Sequence, residues 1–245
     1  EIRSAFLPGQ EGWKLLAADY SQIELRVLAH FCGDEALCEA FERDEDIHRR
    51  VAAEVYGVPP EEVTSHLRRT AKAVNFGTIY GLSPWGLAQQ LGIEKSEAAE
   101  FIEAYFQRYP RVEEFLAQVL AECRTKGYVR TILGRRRAIH GVRSGVHRQR
   151  NLPERTAINT VVQGSAADII KLAMIHLHVR LQAESIAAAM LLQIHDELVF
   201  EVSDRDLPVL APLVMQEMSE VFPLKVPLKV DLSAGNNWAT LQPLP

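Results

Sequence analysis

Residues 188–202, Ala188-Ala189-Met190-Leu191-Leu192-Gln193-Ile194-His195-Asp196-Glu197-Leu198-Val199-Phe200-Glu201-Val202, constrain the fold more than any other stretch. An apolar run breaks at His195-Asp196-Glu197 and resumes as alternating Leu198, Phe200 and Val202. Two such runs around a short polar break predict a β-hairpin. The break lacks the Asn-Gly or Asp-Gly of a relaxed two-residue turn. It places adjacent carboxylates at a tip between apolar strands, where water screens their repulsion poorly. Either the pair is an exposed acidic turn, or a multivalent cation balances it, since hard cations take oxygen ligands. A carboxylate from elsewhere in the chain would decide between the two.

A chain of 245 residues is long enough for a substantial core, as one large domain or two small ones. No apolar run reaches the length of a membrane span, and nothing at the start reads as a signal peptide. The chain opens on Glu1-Ile2-Arg3 without an initiator Met, and is expected to be a piece of a longer protein. Cys32, Cys38 and Cys123 are odd in number and lack metal-ligand spacing, which suits reduced core thiols in a cytoplasmic protein. The net charge of −5 argues against a nucleic-acid binder, but its distribution does not. Arg124, Lys126, Arg130, Arg135, Arg136, Arg137, Arg143, Arg148, Arg150 and Arg155 lie within 32 residues that hold one acid, Glu154. A basic stripe on an acidic body is the footprint of phosphate-backbone contact, or else a solvated face.

Lys14-Leu15-Leu16-Ala17-Ala18-Asp19 predicts a buried strand ending at Asp19. A helix capped by Ser21 follows, with Ile23, Val27, Leu28 and Phe31 on its apolar side and Gly33 as its stop. Helices are expected over 34–42, 46–56 and 63–80, the last ended by Gly81. Ser83-Pro84 starts another, Ser as N-cap and Pro at the first helical position, ending near Gly92. Ser96 caps a helix that stops before Pro110, and a further one covers 111–126. Residues 128–137 read as a strand and turn, followed by a basic loop to about Asn151. A long helix over 153–184 should be perturbed at Gly164. A helix over 206–221 must accommodate Pro208 and Pro212, and a strand over 227–233 closes the chain. Strands at both ends around a helical block make an α+β layout, a small antiparallel sheet carrying a helical insertion.

Asp19 is the further carboxylate. If Asp19 and Asp196 meet across adjacent strands, they can hold two Mg²⁺ ions about 3.5–4 Å apart, clamping the attacking and leaving oxygens of a phosphoryl transfer. The 63–80 helix favours that chemistry. Arg68, Lys72, Phe76 and Tyr80 are spaced four apart and share one face, drifting by about 40° per step. Two cations a turn apart suit a polyphosphate, Arg as a planar fork and Lys as a point charge. The aromatics beyond them stand where an attached sugar and base would lie.

These stretches carry a family resemblance. Asp19-Tyr20-Ser21-Gln22-Ile23-Glu24-Leu25-Arg26 resembles motif A of the family A DNA polymerases, the bacterial DNA polymerase I family. Residues 68–81, Arg68-Arg69-Thr70-Ala71-Lys72-Ala73-Val74-Asn75-Phe76-Gly77-Thr78-Ile79-Tyr80-Gly81, resemble motif B. Gln193-Ile194-His195-Asp196-Glu197-Leu198-Val199 resembles motif C. The likeness extends to Asp46-Ile47-His48, Gly134-Arg135-Arg136-Arg137, Arg155-Thr156-Ala157-Ile158-Asn159 and Gln163-Gly164, and covers nearly the whole chain.

The resemblance implies a right-hand polymerase fold without its thumb. Residues 1–45 would be the first part of the palm, 46–150 the helical fingers, and 151–245 the second part of the palm. It implies template-directed transfer of a dNTP to a primer 3′-hydroxyl, with release of pyrophosphate. Asp19, Asp196 and the Tyr20 carbonyl would hold two Mg²⁺ ions, with Mn²⁺ as a substitute, and Glu197 would be an auxiliary catalytic carboxylate. Arg68 and Lys72 would grip the triphosphate, Lys72 also neutralising or protonating the leaving pyrophosphate, with Gln22 and His48 holding its tail. Phe76 would pack on the sugar and base, and Tyr80 would stack at the template position. Glu24, packed against Tyr80, would crowd a 2′-hydroxyl. Arg155, Asn159, Gln163, Gln193 and His195 would touch the primer-template DNA. A monomer in the bacterial cytoplasm, associated with the nucleoid and without membrane attachment, is expected.

The family's thumb, the palm segment that lies just before the motif A region in the family, and its nuclease-type domains have no counterpart in these residues. Two rivals stand beside the main expectation. An RNA-synthesising relative is disfavoured by Glu24, and a non-catalytic nucleic-acid-binding module by the presence of Asp19, Lys72 and Asp196 together. Arg26 reads as structural rather than as a phosphate contact.

Overall fold

A computed structural model of the chain describes residues 2–81, 83–142 and 147–244, with the side chains of residues 78, 79 and 147–151 left aside. Arg143 and the side chains of Arg148 and Arg150, part of the basic stripe, lie outside the described residues. The chain divides into two compact units, residues 1–23 with 166–245, and residues 24–165. The helix-rich content around a small antiparallel sheet is the expected α+β class.

The first unit is built on β1 (Trp13–Tyr20), in which Leu15 to Ala18 are all buried. Such a continuous run marks a strand covered on both faces. The start of α1 (Ile23–Cys32) follows, two residues later than Ser21. Gln22 intervenes in the left-handed region at φ +56°, so Ser21 is not the cap.

Residues 24–165 hold most of the helices. They are α2 (Glu35–Glu42), α3 (Ile47–Tyr56), α4 (Ser65–Ile79), α5 (Pro84–Leu91), α6 (Lys95–Arg108) and α7 (Pro110–Lys126). Asp34, Asp46 and Ser83 cap α2, α3 and α5 through their side-chain oxygens. The α6 cap position belongs to Glu94, not Ser96, because the helix begins three residues after Gly92 closes α5 in the left-handed region at φ +69°. α3 packs on α4 and on α6, and α4 on α5.

The short hairpin β2 (Tyr128–Arg130) and β3 (Arg136–Ala138) leads to α8 (His147–Ala183). This helix starts six residues before Pro153 and runs through Gly164 without a break. The glycine is explained by packing. A Cβ there would stand 2.8 Å from Thr131 Cγ2, and Arg135 Nη2 donates to the Gly164 carbonyl at 3.0 Å.

The remaining elements return to the first unit. β4 (Ala188–Ile194), β5 (Glu197–Ser203), β6 (Val230–Gly235) and β7 (Gln242–Pro243) join β1 in an antiparallel sheet ordered β4-β5-β1-β6-β7. The β4–β5 hairpin closes through His195 and Asp196 alone. β6 starts at Val230 rather than 227, since Pro227 cannot donate to the ladder.

α9 (Leu207–Glu220) holds Pro208 in its first turn and Pro212 inside. Burial of Leu210, Leu213, Val214 and Met218 offsets the hydrogen bond that Pro212 cannot make. α9 packs on β1, β5 and β6. Tyr20, only 1% exposed, donates its hydroxyl to the Met218 carbonyl at 2.7 Å. That carbonyl lies in the last turn of α9 and has no partner within its own helix. Tyr20→Phe should therefore cost about 1–2 kcal/mol, read by urea denaturation, without altering the far-ultraviolet spectrum.

Candidate functional site

Strand register determines what the first unit presents. Asp19 stands opposite Glu197 of β5 on one side and opposite Asp231 of β6 on the other. Directly paired residues share a sheet face, so three acids form a row across three adjacent strands. Like charges in that arrangement destabilise a sheet.

Asp196 joins them from the turn. Its carbonyl accepts from Tyr20 N at 3.1 Å, and its carboxyl is close enough to Asp19 to share a hydrogen bond. Partial burial and then the charges of Asp196, Glu197 and Asp231 push the Asp19 carboxyl up to about 6. His195, the first turn residue, has φ +54° while Asp196 does not join the positive-φ set. That is the sign pattern of a type II′ turn, where glycine is the relaxed choice. Gln193 Nε2 donates to the His195 carbonyl at 2.7 Å and braces the turn.

Arg3, Asp19, His195, Asp196, Glu197 and Asp231 all line one cavity of about 720 Å³. Glu197 is the member that already has partners. Its Oε2 accepts from Arg3 Nη2 at 3.2 Å and its Oε1 from Trp238 Nε1 at 2.8 Å, while the Arg3 guanidinium lies 4.5 Å above the Trp238 ring. Among the described residues no three His, Cys, Asp or Glu side chains converge to cage an ion by themselves. The site offers instead a close, mutually repelling carboxylate pair beside backbone oxygens. That set fits Mg²⁺, which is commonly bound by one or two carboxylates, with water and substrate phosphates filling the rest. Gln22, expected at the phosphate tail, keeps Oε1 buried with no hydrogen-bond partner.

The second unit carries the cationic and aromatic residues. Lys72, Phe76 and Tyr80 line a cavity of about 640 Å³ together with Arg69 and the end of α5. Arg68 turns to α3, its Nε donating to Asp46 Oδ2 at 2.7 Å. Burial would raise the Asp46 carboxyl, but this bond and the Arg49 amide hold it below the usual range. His48, 3% exposed, lies behind this layer with its ring 5.7 Å from that of Phe76. Burial lowers its imidazole to about 4, leaving it neutral at pH 7.

Glu24 is held at both oxygens, accepting from Tyr80 Oη at 2.8 Å and from Gln163 Nε2 at 3.3 Å. Arg155 packs its stem on Gly81, where a Cβ would meet Arg155 Cγ at 2.6 Å. Asn159 Oδ1 is buried and unpaired. Arg26 is buried with its guanidinium 4.7 Å over the Phe41 ring.

Sequence reasoning missed Asp231, Arg3, Trp238 and Asn75. Asp231 sits in an ordinary strand pattern, and the other three gain their partners only through the fold. Asp46 had a local signal, an Asp directly before a helix, but its bond to Arg68 spans 22 residues.

Comparison with known proteins completes the picture. The family model for DNA polymerase family A matches residues 1–240. DNA polymerase I of Bacillus caldotenax is 50% identical over 238 residues, 97% of this chain and 27% of that protein. The thermostable DNA polymerase I of Thermus filiformis is 48% identical over 237 residues, 97% of this chain and 28% of that protein. The POL domain of Pol1 from M. smegmatis, solved in complex with DNA primer-template and dNTP, superposes with a TM-score of 0.92 at 46% identity, covering 97% of this chain and 42% of that one. The chain thus spans about a quarter of the length of the full relatives it matches, 27% for the first. Among the described residues no helix is long and apolar enough to cross a membrane. A family match over nearly every residue, together with a close structural likeness, supports one conclusion: the chain belongs to DNA polymerase family A.

Proposed function

We propose that this chain is the nucleotidyl-transfer core of a template-directed DNA polymerase, adding a dNTP to a primer 3′-hydroxyl and releasing pyrophosphate. The observation that carries this reading is the Asp19–Asp196 pair, a repelling carboxylate couple fixed by sheet register. Asp19, Asp196 and the Tyr20 carbonyl would hold two divalent cations, Mg²⁺ or in its place Mn²⁺. When bound, such a pair lowers the pKa of the attacking hydroxyl and neutralises charge on the phosphate.

The side chains then divide the work. Glu197, held by Arg3 and Trp238, serves beside Asp19 as the auxiliary catalytic carboxylate. Lys72 and Arg68 bind the triphosphate, and Lys72 Nζ neutralises or protonates the departing pyrophosphate, with His48 and Gln22 toward its tail. Phe76 packs on the sugar and base. Glu24, tied to Tyr80 Oη, occupies the space a 2′-hydroxyl would need, which supports DNA rather than RNA synthesis. Tyr80, Arg155, Asn159, Gln163, Gln193 and His195 meet primer-template DNA, the partner of the M. smegmatis relative. The protein acts as a monomer in the bacterial cytoplasm.

Asp196→Ala in the parent protein should lower Mg²⁺-dependent primer extension by orders of magnitude while DNA affinity stays within a few-fold. Equal loss of both would remove the metal-ligand role. A second expectation follows from Asp19. Its carboxyl is raised in the folded state, so its charge costs stability that is fully felt above about pH 6 and disappears below the ordinary value of 3.8. In metal-free buffer, Asp19→Asn should therefore melt above the unsubstituted chain at pH 8 and lose that advantage by pH 3.5. Adding Mg²⁺ at pH 8 should raise the melting temperature of the unsubstituted chain and not of the variant.

A further inference from the structure

Where α3 packs on α4, His48 and Asn75 face each other in the interior, 3% and 1% exposed. Asn75 Nδ2 lies 3.0 Å from His48 Nδ1. The charged groups acting on the ring are Asp46 at the start of its own helix and Arg68 and Lys72 of α4. A neutral imidazole carries one N–H and one lone pair, and the partner of one nitrogen decides which of the two carries the hydrogen. An amide nitrogen only donates, so Nδ1 is the acceptor and the hydrogen resides on Nε2.

The amide orientation is itself constrained. Asn75 Oδ1 is buried with no partner. Turning the amide over would place the NH₂ group in that same partnerless position, orphaning two donors in place of one acceptor. Buried orphan donors are the rarer case in proteins.

We propose that Asn75 is a positioning residue that fixes His48 in the Nε2–H tautomer, so that the ring offers a hydrogen-bond donor to a nucleotide phosphate bound beside Arg68 and Lys72. This rests on the α4 face being the phosphate-binding one. The opposite tautomer would turn a lone pair toward the anion and repel it. Asn75 thus acts on the ligand through the histidine, without touching it. It also explains how a histidine kept neutral by burial assists anion binding, since a single directed N–H suffices.

The test uses the 245-residue chain with ¹⁵N-labelled histidine. Without nucleotide at pH 7.5, long-range ¹H–¹⁵N correlation should show His48 with its hydrogen on Nε2. In Asn75→Asp, whose carboxylate only accepts, Nδ1 should acquire a hydrogen. Affinity for dATP with Mg²⁺ should fall about tenfold in Asn75→Asp, the size of one lost charge-assisted hydrogen bond. In a His48→Phe background the same substitution should cost threefold or less.

A hydrogen on Nδ1 alone in the unsubstituted chain overturns the proposal, and that spectrum decides even if the variant does not fold. An unchanged Nδ1 in Asn75→Asp also overturns it, as does an affinity loss of equal size in both backgrounds. Absence of dATP binding by the unsubstituted chain would instead overturn the phosphate-binding reading of α4, while the nucleotide-free spectrum still reports on the Asn75–His48 pairing.

Discussion

The antiparallel ladders on either side of β1 hold Glu197, Asp19 and Asp231 side by side on one sheet face, whether or not their charges favour it. Each ladder is secured by apolar pairs further along, such as Leu16 opposite Phe200, both completely buried. The core therefore supports a local arrangement that the acids themselves oppose. The repulsion surfaces as the raised carboxyl of Asp19. Storing electrostatic strain at one edge of a well-packed sheet is how a protein keeps a site receptive to positive charge. The Tyr20–Met218 bond ties that same strand end to α9, so little freedom remains for the acids to move apart.

A comparable economy governs the second unit. Asp46 caps α3 with one oxygen, accepting from the His48 and Arg49 amides, and orients Arg68 of α4 with the other. Behind it, His48 and Asn75 meet across the same helix pair. One short helix start thereby sets the backbone of a histidine and the guanidinium of an arginine in α4. Glu24 does the same further on, binding Tyr80 after the end of α4 and Gln163 of α8 with separate oxygens. Each of these acids is committed to partners distant in sequence.

Much of the fold was legible because local patterns repeat the chemistry of their elements. The hairpin at 195–196, the capped starts of α2, α3 and α5 and the glycine that closes α5 all follow from nearby residues. The misplacements have equally local causes. Pro153 suggested a helix start, yet α8 begins at His147 and carries that proline inside. The apolar run at 188–192 became β4, an edge strand with Leu191 42% exposed, a position that its composition does not announce. Motif-based divisions at 45/46 and 150/151 follow which residues resemble which motif. The compact units divide at 23/24 and 165/166, inside α1 and inside α8, because contact density ignores where a helix begins.

The sequence by itself determined which chemistry was available: two carboxylates at strand ends, a cation-and-aromatic helix face, and motifs specific enough to indicate a family. Those properties belong to residue types at short spacings, and short spacings fix local geometry. Only the tertiary structure decided which acid faces which, that Glu197 pairs with Arg3 and accepts from Trp238, that Arg68 leans on Asp46, and that a buried amide meets the histidine. Register, burial and charge coupling arise between residues as distant in the chain as Asp19 and Asp231, and no pattern along the chain encodes a distance that exists only once the strands have paired.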